Sequence, residues 1–400
     1  MARQQQQRQQ LRIPAVYMRG GTSKGVFFLK DDLPADPAER ERLLLRVIGS
    51  PDRYGKHTDG MGGATSSTSK IVILSKSSRP DCDVDYLFGQ VAIDRPAIDW
   101  SANCGNLSTA VGPFAISSGL VEAPAEGTAT VRIWQANIGK RIVARVPMQA
   151  GEVQELGGFE LDGVAFPAAE VRLEFLDPAA DEEGGDGNSG GAIFPTGNRL
   201  DRLDVPGIGA IEATMINAGN PTIFVDAGPL GFKGTELQAE VNGDRARLAL
   251  AEQVRARGAL AMGLVKSLAG AAERQATPKL AYVAKPAGYT ASDGRTVEAS
   301  SIDLLARIFS MGVLHHAMTG TGAVAIAAAA AIPGTVVSRL APIDATGGKD
   351  GRVRFGHPSG VLAVGAEAVE EAQGQWKVTK VSLSRTARRL MEGWVRVPAG

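Results

Sequence analysis

The sequence predicts an α+β fold of two similar domains, each a sheet wrapped round one central helix, with a cleft where the two helix starts meet. Three observations carry this reading. Short runs rich in Val, Ile and Phe recur through both halves of the chain. Each half holds one short helix whose apolar pattern demands burial, and each of those helices follows a polar, glycine-flanked turn. The likeness between halves is one of element order, a weak internal symmetry and not a sequence repeat. Residues 1–10 read as a disordered glutamine-rich tail, 11–190 as the first domain and 191–375 as the second. Residues 376–400 return to the first.

Taken in order, Ile13 to Phe28 shows two strand-like pieces around the turn Arg19-Gly20-Gly21-Thr22-Ser23-Lys24-Gly25. Pro37 to Ile48 is a charged amphipathic helix, since Leu43, Leu44 and Val47 follow a helical period. Ile71 to Leu74 is a buried strand by its β-branched content. Val84 to Ile93, Val131 to Trp134, Ile142 to Val146 and Val171 to Phe175 are further strands. In the first core helix Leu107, Ala110, Val111, Phe114 and Ala115 form one packed stripe. Pro113 inside it removes a hydrogen bond and predicts a kink, not a break, and Gly119 supplies a C-terminal cap. The acidic, glycine-rich stretch Asp181 to Gly191 is an exposed loop. Ile211 to Met215, Thr222 to Val225 and Lys279 to Val283 read as strands, Ala246 to Leu268 and Ile302 to Met311 as helices. The second core helix follows Thr319-Gly320-Thr321-Gly322. It is apolar all round from Ala323 to Ile332, which demands burial on every side, and Pro333-Gly334 stops it. Strands return at Val361 to Val364 and Trp376 to Leu383.

Composition excludes several classes of function. The 400 residues carry 43 Lys+Arg against 43 Asp+Glu, so no global basic field argues for nucleic acid or an anionic membrane. No apolar run reaches spanning length. The first ten residues lack the apolar core of a secretory signal, and the expected location is the cytoplasm. Two cysteines, Cys82 and Cys104, make no disulfide scaffold, and no metal-ligand spacing joins them to the four histidines. A homodimer is the base-rate expectation for a chain of this size.

Chemistry concentrates in four segments. In Asp99-Trp100-Ser101-Ala102-Asn103-Cys104-Gly105-Asn106 a cysteine stands at the start of a buried helix, where the helix dipole favours the thiolate. The ordinary alternative is a small buried hydrophobe. Cys82, between Asp81 and Asp83, has the opposite surroundings. In Asp59-Gly60-Met61-Gly62-Gly63-Ala64-Thr65-Ser66-Ser67-Thr68-Ser69-Lys70 a glycine- and hydroxyl-rich loop leads into one lysine ahead of a buried strand. Such a loop can turn N–H groups and hydroxyls toward an anion, and a desolvated lysine can take and return a proton. The ordinary alternative is a solvated serine-rich loop. Its spacing is not that of a nucleotide-binding P-loop. The turn from Arg19 to Gly25 offers further donors to a carboxylate. Thr319-Gly320-Thr321-Gly322 opens a helix whose free N–H groups suit a carboxylate, with His315 and His316 just upstream. No G-x-G-x-x-G fingerprint supports a dehydrogenase.

Together these segments resemble the PrpF family of 2-methylaconitate cis-trans isomerases, within the diaminopimelate-epimerase-like fold. The matching stretches are YMRGGTSKGVFF (Tyr17 to Phe28), GGATSSTSK (Gly62 to Lys70), DWSANCGNLSTAVGPFAI (Asp99 to Ile116), INAGNPTIFV (Ile216 to Val225), TGTGAVA (Thr319 to Ala325), GHPSG (Gly356 to Gly360) and RTARRLMEGWVRVP (Arg385 to Pro398). They span the chain in order. The resemblance implies two pseudo-symmetric domains with the site between them and no metal or organic cofactor. It places the family's lysine at Lys70 and its cysteine at Cys104, the latter as an acid or as a wall of the pocket. Substrate contacts are expected from Ser23, Thr65, Ser66, Ser69, Asn103, Gly105, Asn106, Lys279, Ser310, His315, Thr319, Gly320, Thr321 and Gly322. Related epimerases use a cysteine on each core helix; the second helix here has none, which argues against two-thiol racemisation. The implied reaction is conversion of 2-methyl-trans-aconitate to 2-methyl-cis-aconitate in propionate breakdown. The alternatives are a 4-oxalomesaconate-type tautomerase, or an accessory to an iron–sulfur 2-methylcitrate dehydratase.

Overall fold

A computed structural model describes residues 10–179, 192–341, 352–371 and 374–398. The first half supplies strands β1 (Gln10–Gly20), β2 (Ser23–Leu29), β3 (Lys70–Lys76), β4 (Val84–Val91), β5 (Ile98–Asp99), β6 (Gly127–Gln135), β7 (Lys140–Gln149), β8 (Glu152–Val153) and β9 (Glu170–Leu176). Helices α1 (Pro37–Ile48) and α2 (Ser108–Ser117) lie among them. The second half adds β10 (Asp201–Val205), β11 (Gly209–Ala218), β12 (Asn220–Asp226), β13 (Lys279–Ala284), β14 (Tyr289–Thr290), β15 (Thr296–Val297), β16 (Leu304–Ser310), β17 (Val313–Leu314), β18 (Arg352–His357) and β19 (Gly360–Glu370). Its helices are α3 (Gln238–Asn242), α4 (Arg245–Ala261), α5 (Gly320–Ala331) and α6 (Val336–Leu340), and β20 (Trp376–Pro398) ends the described chain.

The pairings of the first half close on themselves. β4 pairs β3, β3 pairs β2, β2 pairs β1 and β1 pairs β20. From there β20 pairs β9, β9 pairs β7, β7 pairs β6, and β6 returns to β4. This ring surrounds α2, whose residues Ser108 to Ala115 are all buried. The second half repeats the order as β11, β12, β13, β16, β18, β19 and β20. It wraps α5, buried from Gly320 to Ala330. In both halves the second and third strands are parallel and the fourth is antiparallel to the third. The α+β class and the sheet-round-a-helix arrangement are thus as the sequence implies.

Local chemistry explains the elements. α1 starts at Asp36, whose side chain accepts the Glu39 N–H, and ends at Gly49 in the left-handed region. α2 runs through Pro113 to Ser117. It closes with Leu120 N–H to Ala115 O and Gly119 N–H to Ile116 O around a positive φ of 74° at Gly119, the closure that needs a left-handed residue. Alanine and glycine give α5 a thin profile, so sheet strands approach it on all sides.

Three expectations need correction. Ile302 to Met311 is not a helix: Leu304–Ser310 is the strand β16, buried along its whole length. Leu304, Ala306 and Ile308 face the core around α5, while Leu305 and Phe309 join other apolar clusters. A strand covered on both faces loses the polar alternation that marks a strand. The long helix stops at Ala261, not Leu268, because Gly263 at φ 72° closes it with the bonds Leu264 N–H to Ala259 O and Gly263 N–H to Leu260 O. Gln10, read as tail, begins β1 opposite Pro398. The loop expected at Asp181 to Gly191 lies outside the described residues.

The two halves meet at the starts of their helices. A Cβ on Gly105 would stand 2.7 Å from the backbone carbon of Gly320, and one on Gly320 would overlap Gly105 in turn. Asn220, from the β11–β12 turn, bridges the joint. Its Oδ1 accepts the Asn103 N–H at 3.0 Å, and its Nδ2 donates to Asn103 O at 3.0 Å and to Thr321 Oγ1 at 3.2 Å. Because both contacts at the joint are backbone, there is no side chain to yield. Gly320→Ala is expected to lower stability by about 2 kcal/mol or more, read as a fall in the denaturant midpoint.

Candidate active site

Lys70 is the first residue of β3 and stands opposite Gln90 in β4. Its Nζ donates to Gln90 Oε1 at 2.6 Å. Gln90 Nε2 donates to Ser69 O at 3.1 Å, which fixes the amide with its oxygen toward the amine. Nζ also sits 4.9 Å from the centre of the Phe88 ring. Burial lowers the Lys70 pKa, opposed in part by the nearby Cys104 side chain. Cys104 lies one turn ahead of α2, and its Sγ accepts the Leu107 N–H at 3.5 Å. The other cysteine differs: burial, and then Asp81, push the Cys82 thiol up to about 11.

Lys279 is the first residue of β13, and its Nζ donates to Ser310 Oγ at 3.0 Å. Burial and then the nearby Lys70 lower its pKa to about 7. His315 Nδ1 accepts the Ala317 N–H at 3.1 Å. Burial, with His316 next, holds its pKa well below the usual imidazole value. The ring is therefore neutral and carries its proton on Nε2. Its plane stacks on His316 with centroids 4.6 Å apart.

These groups enclose a cavity of about 20 Å³, lined by Ser23, Ser66, Lys70, Asn103, Cys104, Gly105, Asn106, Lys279, Ser310, His315, Thr319, Gly320 and Thr321. That is room for about one water. Ser66, Gln90 and His315 also line an adjoining cleft of about 730 Å³, within the usual range for a ligand site. A larger hollow of about 1060 Å³ beside Phe194 and Trp376 holds none of these groups. The cavity lining contains no carboxylate. Asn103 Nδ2 and Asn106 Oδ1 are buried without a hydrogen-bond partner among the described residues, a cost that a polar ligand removes. The Gly320 and Thr321 N–H groups open α5 and have no acceptor inside that helix.

Three residues expected at the site stand elsewhere. The Thr65 hydroxyl bonds those of Ser67 and Thr68 and lines only the outer cleft. The Ser69 hydroxyl turns away to His57 Nδ1 at 3.2 Å. The Gly322 N–H is taken by the Thr319 side chain, so Thr319 caps its helix. Sequence reasoning missed Phe88, Gln90, Ala102 and Ala276, which complete the lining. For Gln90 there was a signal: a lone amide in the buried end, Phe88 to Val91, of its strand.

Set beside known proteins, the chain matches the model of the PrpF protein family over residues 10–398. The chain belongs to the PrpF family. Within it, a relative from Cupriavidus necator named 2-methyl-aconitate isomerase is 63% identical over 397 residues, covering 97% of this chain and 98% of the relative. A crystal structure of a methylitaconate-delta-isomerase superposes with a TM-score of 0.76 at 38% identity, covering 98% of this chain and 96% of that one. A hydroxyproline epimerase from Agrobacterium vitis, with TM-score 0.56 and 13% identity over 98% of this chain and 92% of its own, shares the fold alone. The PrpF-family chain is therefore epimerase-like in architecture. It pairs one cavity cysteine with two cavity lysines.

Gln90→Glu would set a carboxylate against the Lys70 amine and favour its charged form. The Lys70 pKa should rise by about one unit or more, measured by NMR titration of the ¹⁵N-labelled ε-amino group.

Proposed function

We propose that this chain is an isomerase that converts 2-methyl-trans-aconitate to 2-methyl-cis-aconitate. The observation that carries the reading is a desolvated lysine, Lys70, held by Gln90 and sharing a cavity with Cys104 at the joint of two helix starts. The relative named for this activity, 63% identical along nearly the whole chain, supports the substrate.

The substrate is a polyanion, and the cavity meets it with neutral and positive groups only. The free N–H groups of Gly320 and Thr321 receive one carboxylate. The hydroxyls of Ser23 and Ser66, and the His315 Nε2–H, receive the others. Lys70, as a neutral amine, removes a proton from the methylene carbon next to the double bond. The C–H electron pair spreads through the double bond into the carboxylate on its far carbon as a dienolate, whose former double bond now rotates. Donors aimed at the developing oxyanion stabilise it in a site with little water. A proton returns to carbon and restores the double bond in the cis arrangement. Cys104 acts through Lys70, holding its amine in place. The route draws on no metal or organic cofactor. It belongs to the cytoplasmic 2-methylcitrate route of propionate breakdown, working beside an iron–sulfur 2-methylcitrate dehydratase.

Proton NMR of the purified protein with 2-methyl-trans-aconitate in heavy water tests this. The cis isomer should form with deuterium at the methylene carbon. No conversion, with turnover of 4-oxalomesaconate instead, would move the substrate to a keto acid. Lys70→Ala should lower kcat by about 100-fold or more while circular dichroism shows an unchanged fold.

A further inference from the structure

Lys70 and Lys279 occupy equivalent places in the two halves. Each opens the third strand of its half, parallel to the second strand and antiparallel to the fourth. Lys70 stands directly across the ladder from Gln90, and the register Leu280 to Phe309 puts Lys279 across from Ser310. Each amine donates to the side chain facing it. Each second strand is entered through a turn with a left-handed glycine, Gly21 at φ 51° and Gly219 at φ 74°. The Gly105–Gly320 contact joins the two helix starts, and both lysines line the cavity that these glycines also line. Both are 7% exposed.

We infer that Lys279 is a second acid–base group, the counterpart of Lys70, and that the two amines share a single proton between them. The inference rests on the isomerase reading above and goes beyond it, since carboxylate binding alone would require only a fixed charge at Lys279. Two ammonium groups in one cavity without a carboxylate repel each other, so one charged and one neutral amine is the favoured state. The charged and titratable groups acting on Lys279 are Lys70, Asp99, Cys104, Arg255 and His315. Of these Lys70, Cys104 and the neutral His315 share the cavity lining. This division of labour supplies a base and an acid at the same moment.

In the form of the pair that carries its proton on Lys279, the Lys70 lone pair takes the proton from carbon, and the C–H pair enters the dienolate. After rotation, the N–H bond of the Lys279 ammonium breaks. Its proton forms the new C–H bond with the dienolate pair, leaving Lys279 neutral. The charge has then passed from Lys279 to Lys70. Exchange with water in the adjoining cleft resets the pair.

Two measurements test this. In the first, ¹⁵N NMR follows the Lys279 ε-amino titration in the parent and in Lys70→Met. A shared proton requires the Lys279 pKa to rise when Lys70 loses its charge; an unchanged value overturns the pairing whatever the substrate is. In the second, Lys279→Arg and Lys279→Met are incubated with 2-methyl-trans-aconitate in heavy water beside the parent. Arginine keeps the charge and does not transfer protons. The expected result for Lys279→Arg is a KM near the parent value, kcat reduced by about 100-fold or more, and continued deuterium entry into recovered substrate. Lys279→Met should lose kcat and bind more weakly. A kcat for Lys279→Arg within about threefold of the parent would reduce Lys279 to a binding group and overturn the inference. Failure of the parent itself to convert the substrate would instead sink the isomerase reading, with the titration still deciding the pair.

Discussion

The molecule depends on one close approach. Gly105 and Gly320 bring two helix starts to backbone contact, with no room for a Cβ on either. A helix start is rich in unpaired N–H groups, so apposing two of them concentrates donors on a small volume. Asn220 holds the apposition by satisfying the backbone of one half and the Thr321 hydroxyl of the other. The lysines follow from the same geometry, since each third strand begins beside its own helix start.

Desolvation is the second theme. Lys70, Lys279, His315 and His357 are nearly or fully buried, and burial is the leading cause of each downward shift. The interior elsewhere tolerates charge by a different device. The buried guanidinium of Arg307 donates to the carbonyls of Glu236, Ala306 and Gly356, and lies 5.0 Å from the centre of the Tyr289 ring. Arg307 thus meets burial with three fixed carbonyl acceptors. Lysine in the cavity has few acceptors, which leaves it close to neutrality.

Much of the fold was legible because helix ends and apolar stripes are local signals. Pro37 to Ile48 agrees with α1 to the residue, and Thr319 ahead of an all-apolar run marks the start of α5. β16 was not legible, since its two faces meet two different apolar surroundings and the period disappears. Lys70 and Cys104 could be singled out because each follows a distinctive polar loop. Gln90 and the pairing of Lys279 with Lys70 depend on cross-strand register, a non-local property. The halves share geometry without sharing sequence: Lys70 follows a run of hydroxyls, Lys279 follows Thr277-Pro278. Ser69 and Thr65 show the converse limit. A loop of like residues does not reveal which hydroxyl turns inward.

The ring round α2 is completed by β20, which pairs with β1 from Pro398 opposite Gln10 to Ala387 opposite Gly20. The same strand also borders β19 of the second half. The strand β1 therefore waits for β20. During synthesis the first half emerges with the edges of β1 and β9 unpaired, and they stay open until β20 has left the ribosome. Open edges of that kind invite pairing with other chains. The architecture that places one site between two similar halves thus ties the maturation of both to β20, a strand made long after β1.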